Sequence, residues 1–221
     1  MNQRTFDREM DEVKDKLLKM GMMVQALILK SVEALRMLDR GKAEAVIQED
    51  EQVDKLELEI TELCIQLVAL RQPEASDLRF LMTGMRIAND LERIGDLAED
   101  IAERTIELMG APLLKPLVDI PKMAKIAEAS IAIVLDAFVK RDAAKAREVW
   151  EKERESDRLR DMVHAELTEI MKKDASTVAR ALPLLLISRH LERVCDHATN
   201  IAEEVIYMVE GTVVKHGGGR I

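Results

Sequence analysis

The chain has 221 residues, 34% of them charged and 48% hydrophobic, and its formal net charge is −9. This acidic balance argues against nucleic-acid binding, which needs clustered Lys and Arg, and the 2% of aromatic residues offers little surface for stacking on bases. The longest uncharged run covers only residues 20–29, so we expect no membrane-spanning segment, and the N-terminus lacks the apolar core of a signal peptide.

Helical periodicity dominates the first half of the chain. Over residues 10–38, apolar positions recur at alternating steps of three and four, which predicts one long helix with a coiled-coil-like seam. Arg40-Gly41 is expected to end this helix, and a second helix is predicted over about Lys42–Leu70. The Gln72-Pro73 step should then break the chain, because proline disfavours helix in the residue before it. A third helix carries a similar seam over residues 87–108.

The second half of the chain repeats this order of elements. A linker is predicted over Gly110–Pro121, which holds three prolines and one glycine. Three more helices are predicted over roughly Lys122–Lys140, Asp142–Lys172 and Ser176–Glu210. The segment 212–221 is predicted to be a flexible tail.

An internal repeat relates the two halves. Residues 91–103 and 191–203 are identical at eight of 13 positions, and the matches include Glu, Arg and Asp as well as apolar residues. Packing alone would not require the polar matches. Short turns make neighbouring helices antiparallel, so the sequence predicts an all-α protein of two tandem three-helix bundles, over residues 1–110 and 116–211.

Carboxylates are concentrated on two neighbouring helices in each half. At 100° per residue, the acids of the third helix share about one third of its circumference, and the middle helix adds an acid pair with four-residue spacing. The candidate ligands of the first half are Asp50, Asp54, Glu92, Asp96 and Asp100. Those of the second half are Glu153, Asp157, Glu192, Asp196 and Asn200. Arg93 and Arg193 are interpreted as partners of carboxylates on their own helices.

Two interpretations of these acidic faces are open on residues alone. Like charges at i,i+4 repel, and hard cations such as Mg²⁺, Ca²⁺, Mn²⁺ or ferric iron would offset that repulsion through oxygen ligands. An acidic stripe opposite an apolar seam is also the ordinary pattern of a solvated helix face. Four matched pairs favour the metal interpretation more than any single pair would.

Other reactive residues carry weaker signals. Cys64 and Cys195 have no CxxC spacing, so we expect reduced, half-buried thiols. His190 and His197 have no histidine counterparts in the first copy of the repeat and are interpreted as surface or edge residues. The sequence shows no Glu-x-x-His signature of di-iron bundles, no Gly-rich phosphate loop and no Ser/His/Asp order, which argues against an enzyme.

The chain resembles the PhoU family of phosphate-uptake regulators from Phe6 to Gly211. The resemblance rests on the two Leu-Glu-Arg-Ile/Val-x-Asp helices at 91–96 and 191–196 and on the two acid-xxx-Asp pairs of the middle helices. The lead-in at 72–79 is also similar to the family. The resemblance implies a cytoplasmic, non-catalytic homodimer that acts as a negative regulator of the phosphate regulon. Its implied partners are the ATPase of the phosphate ABC transporter and a two-component sensor histidine kinase.

The resemblance also implies one multinuclear metal cluster on each acidic face. Iron is the expected metal, with zinc, manganese, magnesium and calcium as alternatives. Asn200 in place of Asp100, and His190 in place of Asp90, make the second face less anionic. Two other functions stay open: a carboxylate-cluster metalloenzyme or metal-storage bundle, and a helical scaffold without metal.

Overall fold

The computed structural model describes residues 3–215 and 219–220. Within these ranges the long helices are α1 (Gln3–Met37), α2 (Arg40–Arg71), α3 (Ala75–Glu107), α4 (Asp119–Lys140), α6 (Val149–Lys173) and α7 (Val178–Glu210). A short helix, α5 (Ala143–Ala146), and a single 3₁₀ turn (Ala175–Thr177) precede α6 and α7 respectively. Strands β1 (Val214–Lys215) and β2 (Gly219–Arg220) pair antiparallel.

Two three-helix bundles form the molecule, and this confirms the predicted fold. Helices α1, α2 and α3 pack together, as do α4, α6 and α7. The predicted seams are the buried faces: positions from Val13 to Ala34 on α1, from Ile87 to Thr105 on α3, and from Ile187 onwards on α7. Alternating steps of three and four keep these side chains on one side of each helix, where they exclude water.

The two halves also use the same turn between their first and second helices. Leu38 and Arg141 adopt the left-handed conformation, and the next residue in each case is an aspartate that caps the following helix. The Asp39 carboxylate accepts a hydrogen bond from the Lys42 backbone N–H at 3.1 Å. The prediction that Arg40-Gly41 ends α1 was therefore wrong, because the Asp39 cap makes these residues the first turn of α2.

The second half departs from its predicted helix boundaries at two points. The predicted helix Asp142–Lys172 is divided at residues 147–148 into α5 and α6. At this break Arg147 turns towards the end of α7 and pairs with Glu210 at 2.8 Å. Helix α4 begins at Asp119, so Pro121 lies in its first turn, where the missing N–H of proline leaves no intrahelical bond unmade.

The two bundles pack against each other through α1 with α4 and α3 with α7. Gly21 allows Leu135 of α4 to pack closely at the first contact, since a Cβ at this position would clash with the Leu135 side chain. Cys64 and Cys195 are free and fully buried, so the expectation of half-buried thiols was wrong. Within the described residues, no helix is both long and apolar enough to cross a membrane.

The predicted tail at 212–221 lies partly outside the described residues, at 216–218 and 221. In the part that is described, Val214 is buried and Val214–Lys215 pairs with Gly219–Arg220. The domain boundaries at 1–110 and 116–211 stay predictions.

Candidate metal centre

Carboxylates from α2 and α3 converge on one face of the first bundle. Oxygens of Asp50, Asp96 and Glu99 lie within 4.8 Å of one another, and so do oxygens of Asp54, Glu92 and Asp96. Asp96 belongs to both groups, so the two form one continuous acidic cluster between the helices. We call these five residues the first acidic face. Oxygen ligands at this spacing suit hard cations.

Asp50 lies at the base of the first acidic face. Its side chain is buried, with 3% exposure, and its Oδ1 has no hydrogen-bond donor among the described residues. Gly95 on α3 provides the space for Asp50, because a Cβ there would clash with Asp50 Oδ1. A buried carboxylate oxygen without a donor is costly, and a bound cation would satisfy it.

Electrostatics reinforce this conclusion. Burial is the first cause that raises the pKa of Asp50 from 3.8 to about 7. The carboxylates of Asp54, Glu99, Asp96 and Glu92 raise the pKa further, in that order. In the absence of a cation, the Asp50 carboxyl therefore retains its proton close to neutral pH.

One arginine reaches the first acidic face from its solvent side. Arg93 Nη1 lies 2.7 Å from Asp96 and its Nε lies 3.2 Å from Glu92. The predicted intrahelical role of Arg93 is thus confirmed. The Arg93 side chain is 54% exposed, so solvent screens its charge. Arg93 donates no hydrogen bond to the buried Asp50 Oδ1, which has no partner among the described residues.

The equivalent face of the second bundle is arranged differently. Glu192, 5% exposed, accepts hydrogen bonds at Oε1 from Arg160 on α6 and from Arg189 on α7, both at 2.7 Å. Arg160 also lies 3.8 Å from Asp157. The pKa of Asp196 is raised, first by burial and then by Asp157, and the lowering effects of Arg189, His197 and Arg160 offset only part of this rise. Two guanidinium groups therefore supply positive charge within the second acidic face, which we define as Glu153, Asp157, Glu192 and Asp196.

The second acidic face lacks the convergence of ligand atoms found in the first. Within the described part of the chain, no three acidic, histidine or cysteine ligand atoms of the second half come within 4.8 Å of one another. Glu153 is half-buried, and burial is the largest cause of its raised pKa. Arginine contacts two of the four acids, Glu192 and Asp157, whereas the pKa of Glu153 is raised further by the carboxylates of Asp196 and Asp157.

Two predicted ligands lie at the junction of the bundles instead. An Asp100 oxygen lies 3.5 Å from His190 Nδ1, and Asn200 donates to Asp90 at 3.4 Å. His197 Nδ1 lies 2.9 Å from the same Asp90 oxygen. These contacts join α3 to α7, so the interpretation of both histidines as surface or edge residues was wrong. Neither Asp100 nor Asn200 belongs to the two groups of converging carboxylates in the first acidic face.

Comparison with known proteins places these features in a family. The family model of the PhoU domain matches twice, over residues 17–105 and 120–205. The chain belongs to the PhoU family. A PhoU homologue from Aquifex aeolicus, named as a phosphate-specific transport system accessory protein, is 42% identical over 95% of each chain. A homologue of the same name from Clostridium acetobutylicum is 35% identical over 97% of this chain and 98% of its own.

Solved PhoU structures share the fold. The crystal structure of PhoU from Pseudomonas aeruginosa has a TM-score of 0.89 and 36% identity, covering 94% of this chain and 100% of its own. The phosphate transport system regulatory protein PhoU from Streptococcus pneumoniae has the same TM-score with 30% identity, covering 96% and 100%.

Two residues important to this PhoU chain were missed in the predicted ligand sets. Glu99 takes the place expected for Asp100, and the three-residue step from Asp96 to Glu99 was a visible signal that both lie on one side of α3. Arg160 was missed because only the acids of the middle helices were compared. Extending the match of Asp54 with Asp157 by one turn would have shown that Arg160 replaces Glu57.

Proposed function

We propose that this protein regulates phosphate uptake by binding other components of the transport system. The observation that carries the proposal is its full-length similarity to relatives named as accessory proteins of phosphate-specific transport. The regulation is negative: the protein restrains the phosphate regulon when phosphate is plentiful. Its site of action is the cytoplasm, where the transporter ATPase and a sensor kinase are accessible.

The proposed partners are the ATPase of the phosphate ABC transporter and a two-component sensor histidine kinase. Long acidic helices suit docking on basic partner surfaces, and the formal charge of −9 would speed the encounter. Exposed charge pairs are screened over about 8 Å at physiological ionic strength, so these contacts should weaken as salt rises. We propose that the protein acts as a homodimer that links the two partners.

Metal binding is the second part of the proposal. The first acidic face would hold hard cations, with iron as the expected metal and zinc, manganese, magnesium or calcium as alternatives. Asp50 and Asp54 on α2 would share the ions with Glu92, Asp96 and Glu99 on α3. The bound charge would offset the repulsion between the two helices and stabilise the surface they present. The support is the buried Asp50 oxygen without a donor.

The regulatory role can be tested by deleting the gene and returning it in trans. Deletion should switch on phosphate-starvation genes in high phosphate, and the wild-type gene should restore repression. The purified protein should bind the transporter ATPase or the sensor kinase at low salt. Repression that persists in the deletion strain, together with no binding to either protein, would reject the proposal.

Elemental analysis of protein purified without chelator tests the metal part. The expected result is bound metal and a melting temperature that falls after chelation, because a ligand specific to the folded state stabilises it. No metal and no melting shift would leave the first acidic face as a solvated surface. Turnover or reversible iron loading by the metal-bound protein would instead favour the metalloenzyme or storage function.

A further inference from the structure

We propose that Arg160 and Arg189 act as internal cations that keep metal out of the second acidic face, so that metal binds in the first half only. This inference rests on the proposed metal binding of the first acidic face. It names the residues that decide which of two related faces is a metal site.

The repeat provides a matched comparison of the two faces. Asp54 on α2 corresponds to Asp157 on α6, and by the same offset Glu57 corresponds to Arg160. On α3 and α7, whose offset is 100 residues, Asn89 corresponds to Arg189. At these two positions, one change from acid to base and one from neutral to base add three units of positive charge to the second face.

Both arginines act on the most buried acid of the second face. Glu192 Oε1 accepts a hydrogen bond from each guanidinium at 2.7 Å, and Arg160 reaches it from a different helix. Charge-assisted hydrogen bonds of this kind are the strong ones. Glu192 Oε2 has no donor among the described residues, but a cation approaching it would meet two positive charges beside the same carboxylate.

The first acidic face has no such arrangement at its buried acid. Arg93, 54% exposed, is similar in exposure to Arg189, which is 49% exposed. The difference is that Arg93 pairs with the partly exposed Glu92 and Asp96, whereas Arg189 pairs with a buried acid. The buried Asp50 oxygen that lacks a donor lies instead among carboxylates, with oxygens of Asp96 and Glu99 within 4.8 Å. A cation would be attracted by every one of these groups.

Matched ligand variants provide the first experiment. Each protein is stripped with chelator, incubated with Mn²⁺ and passed over a desalting column before elemental analysis. D54N/D96N should lose the bound Mn²⁺ and the Mn²⁺-dependent rise in melting temperature. D157N/D196N, the equivalent pair of the second half, should retain both at the wild-type level. Equal losses in the two variants would overturn the inference but leave the proposed metal binding intact.

Charge variants provide the second experiment. R160E/R189N, which installs the residues found in the first half, should bind more Mn²⁺ than the wild type, approaching twice its content. R160K/R189K should stay at the wild-type content because it keeps both charges, and R158Q changes an exposed arginine on the same helix as a control. A wild-type content in R160E/R189N that is folded by circular dichroism would overturn the inference. A wild type that binds no Mn²⁺ would reject both this inference and the proposed metal binding.

Discussion

The two acidic faces lie on equivalent helices of two similar bundles, but their buried carboxylates have different partners. In the first, Asp50 is buried with an oxygen that lacks a donor in the described chain, and carboxylates surround it. In the second, Glu192 is buried with two guanidinium groups on one oxygen. The duplicated fold therefore keeps its helices and seams while two positions change charge, from Glu57 and Asn89 in the first half to Arg160 and Arg189 in the second.

Replacing Arg160 and Arg189 should give the largest change in stability. We expect R160A/R189A to lose about 3–5 kcal/mol of unfolding free energy, because it leaves Glu192 buried and unpaired. R93A in the first half should change stability by less than about 1 kcal/mol, since its ion pairs are exposed. Urea unfolding with chelator present measures both. Similar losses in the two proteins would show that the arginines of the two halves are equivalent.

Substitution of Gly95 should affect the first half selectively. In G95A the new Cβ would meet Asp50 Oδ1, and we expect a loss of about 1–3 kcal/mol from this overpacking together with weaker Mn²⁺ binding. C195A at the equivalent position removes a buried thiol that lies beside Ser156 and Ser130, and should cost about 1 kcal/mol without changing Mn²⁺ content. Unchanged Mn²⁺ content in G95A would show that Asp50 is not a ligand.

Neutralising the buried acid should have opposite signs in the two halves. At pH 8 with chelator, D50N should stabilise the protein by about 1 kcal/mol, because it removes a buried charge that lacks compensation. E192Q should destabilise it by a similar or greater amount, because it leaves two arginines without their carboxylate. Chemical unfolding of the two variants beside the wild type checks the signs. Destabilisation by D50N would contradict the comparison.

Burial of Asp50 should also affect the pH dependence of stability in the metal-free protein. The pKa of Asp50 is about 7 in the folded state against 3.8 for an ordinary aspartate, so between these values the folded state binds the extra proton. Its contribution to stability is thus fully present below about pH 4 and is lost as pH rises through 7. In thermal melts with chelator, D50N should show a weaker decline from pH 5 to pH 8 than the wild type. Equal declines in D50N and the wild type would show that Asp50 does not cause the pH dependence.

Much of the fold could be predicted from the sequence because its signals are local and repeated. The three-and-four spacing on α1, α3 and α7 specifies a buried stripe wherever a helix packs, so the two bundles followed directly. The break between α5 and α6 could not be predicted, since no Gly or Pro marks residues 147–148. Arg147 contacts Glu210 of α7 at this break, and local helix propensity does not encode such a contact between helices.

The candidate site was less predictable because it depends on contacts between helices. Helical spacing identified the acids of each face but could not show that Asp100 turns towards His190 at the junction of the bundles. It also could not show that Arg160 crosses from α6 to Glu192 on α7. Such partners depend on the rotation of neighbouring helices, which the spacing within one helix does not determine.

An anomalous-difference map from crystals of the wild-type protein grown with Mn²⁺ would test the unequal roles of the two faces most directly. We predict manganese density between α2 and α3, bounded by Asp50, Asp54, Glu92, Asp96 and Glu99. Around Glu192 we predict both guanidinium groups in place and no manganese density. Density of comparable height on both faces, or density only beside Glu192, would contradict the assignment of metal to the first half.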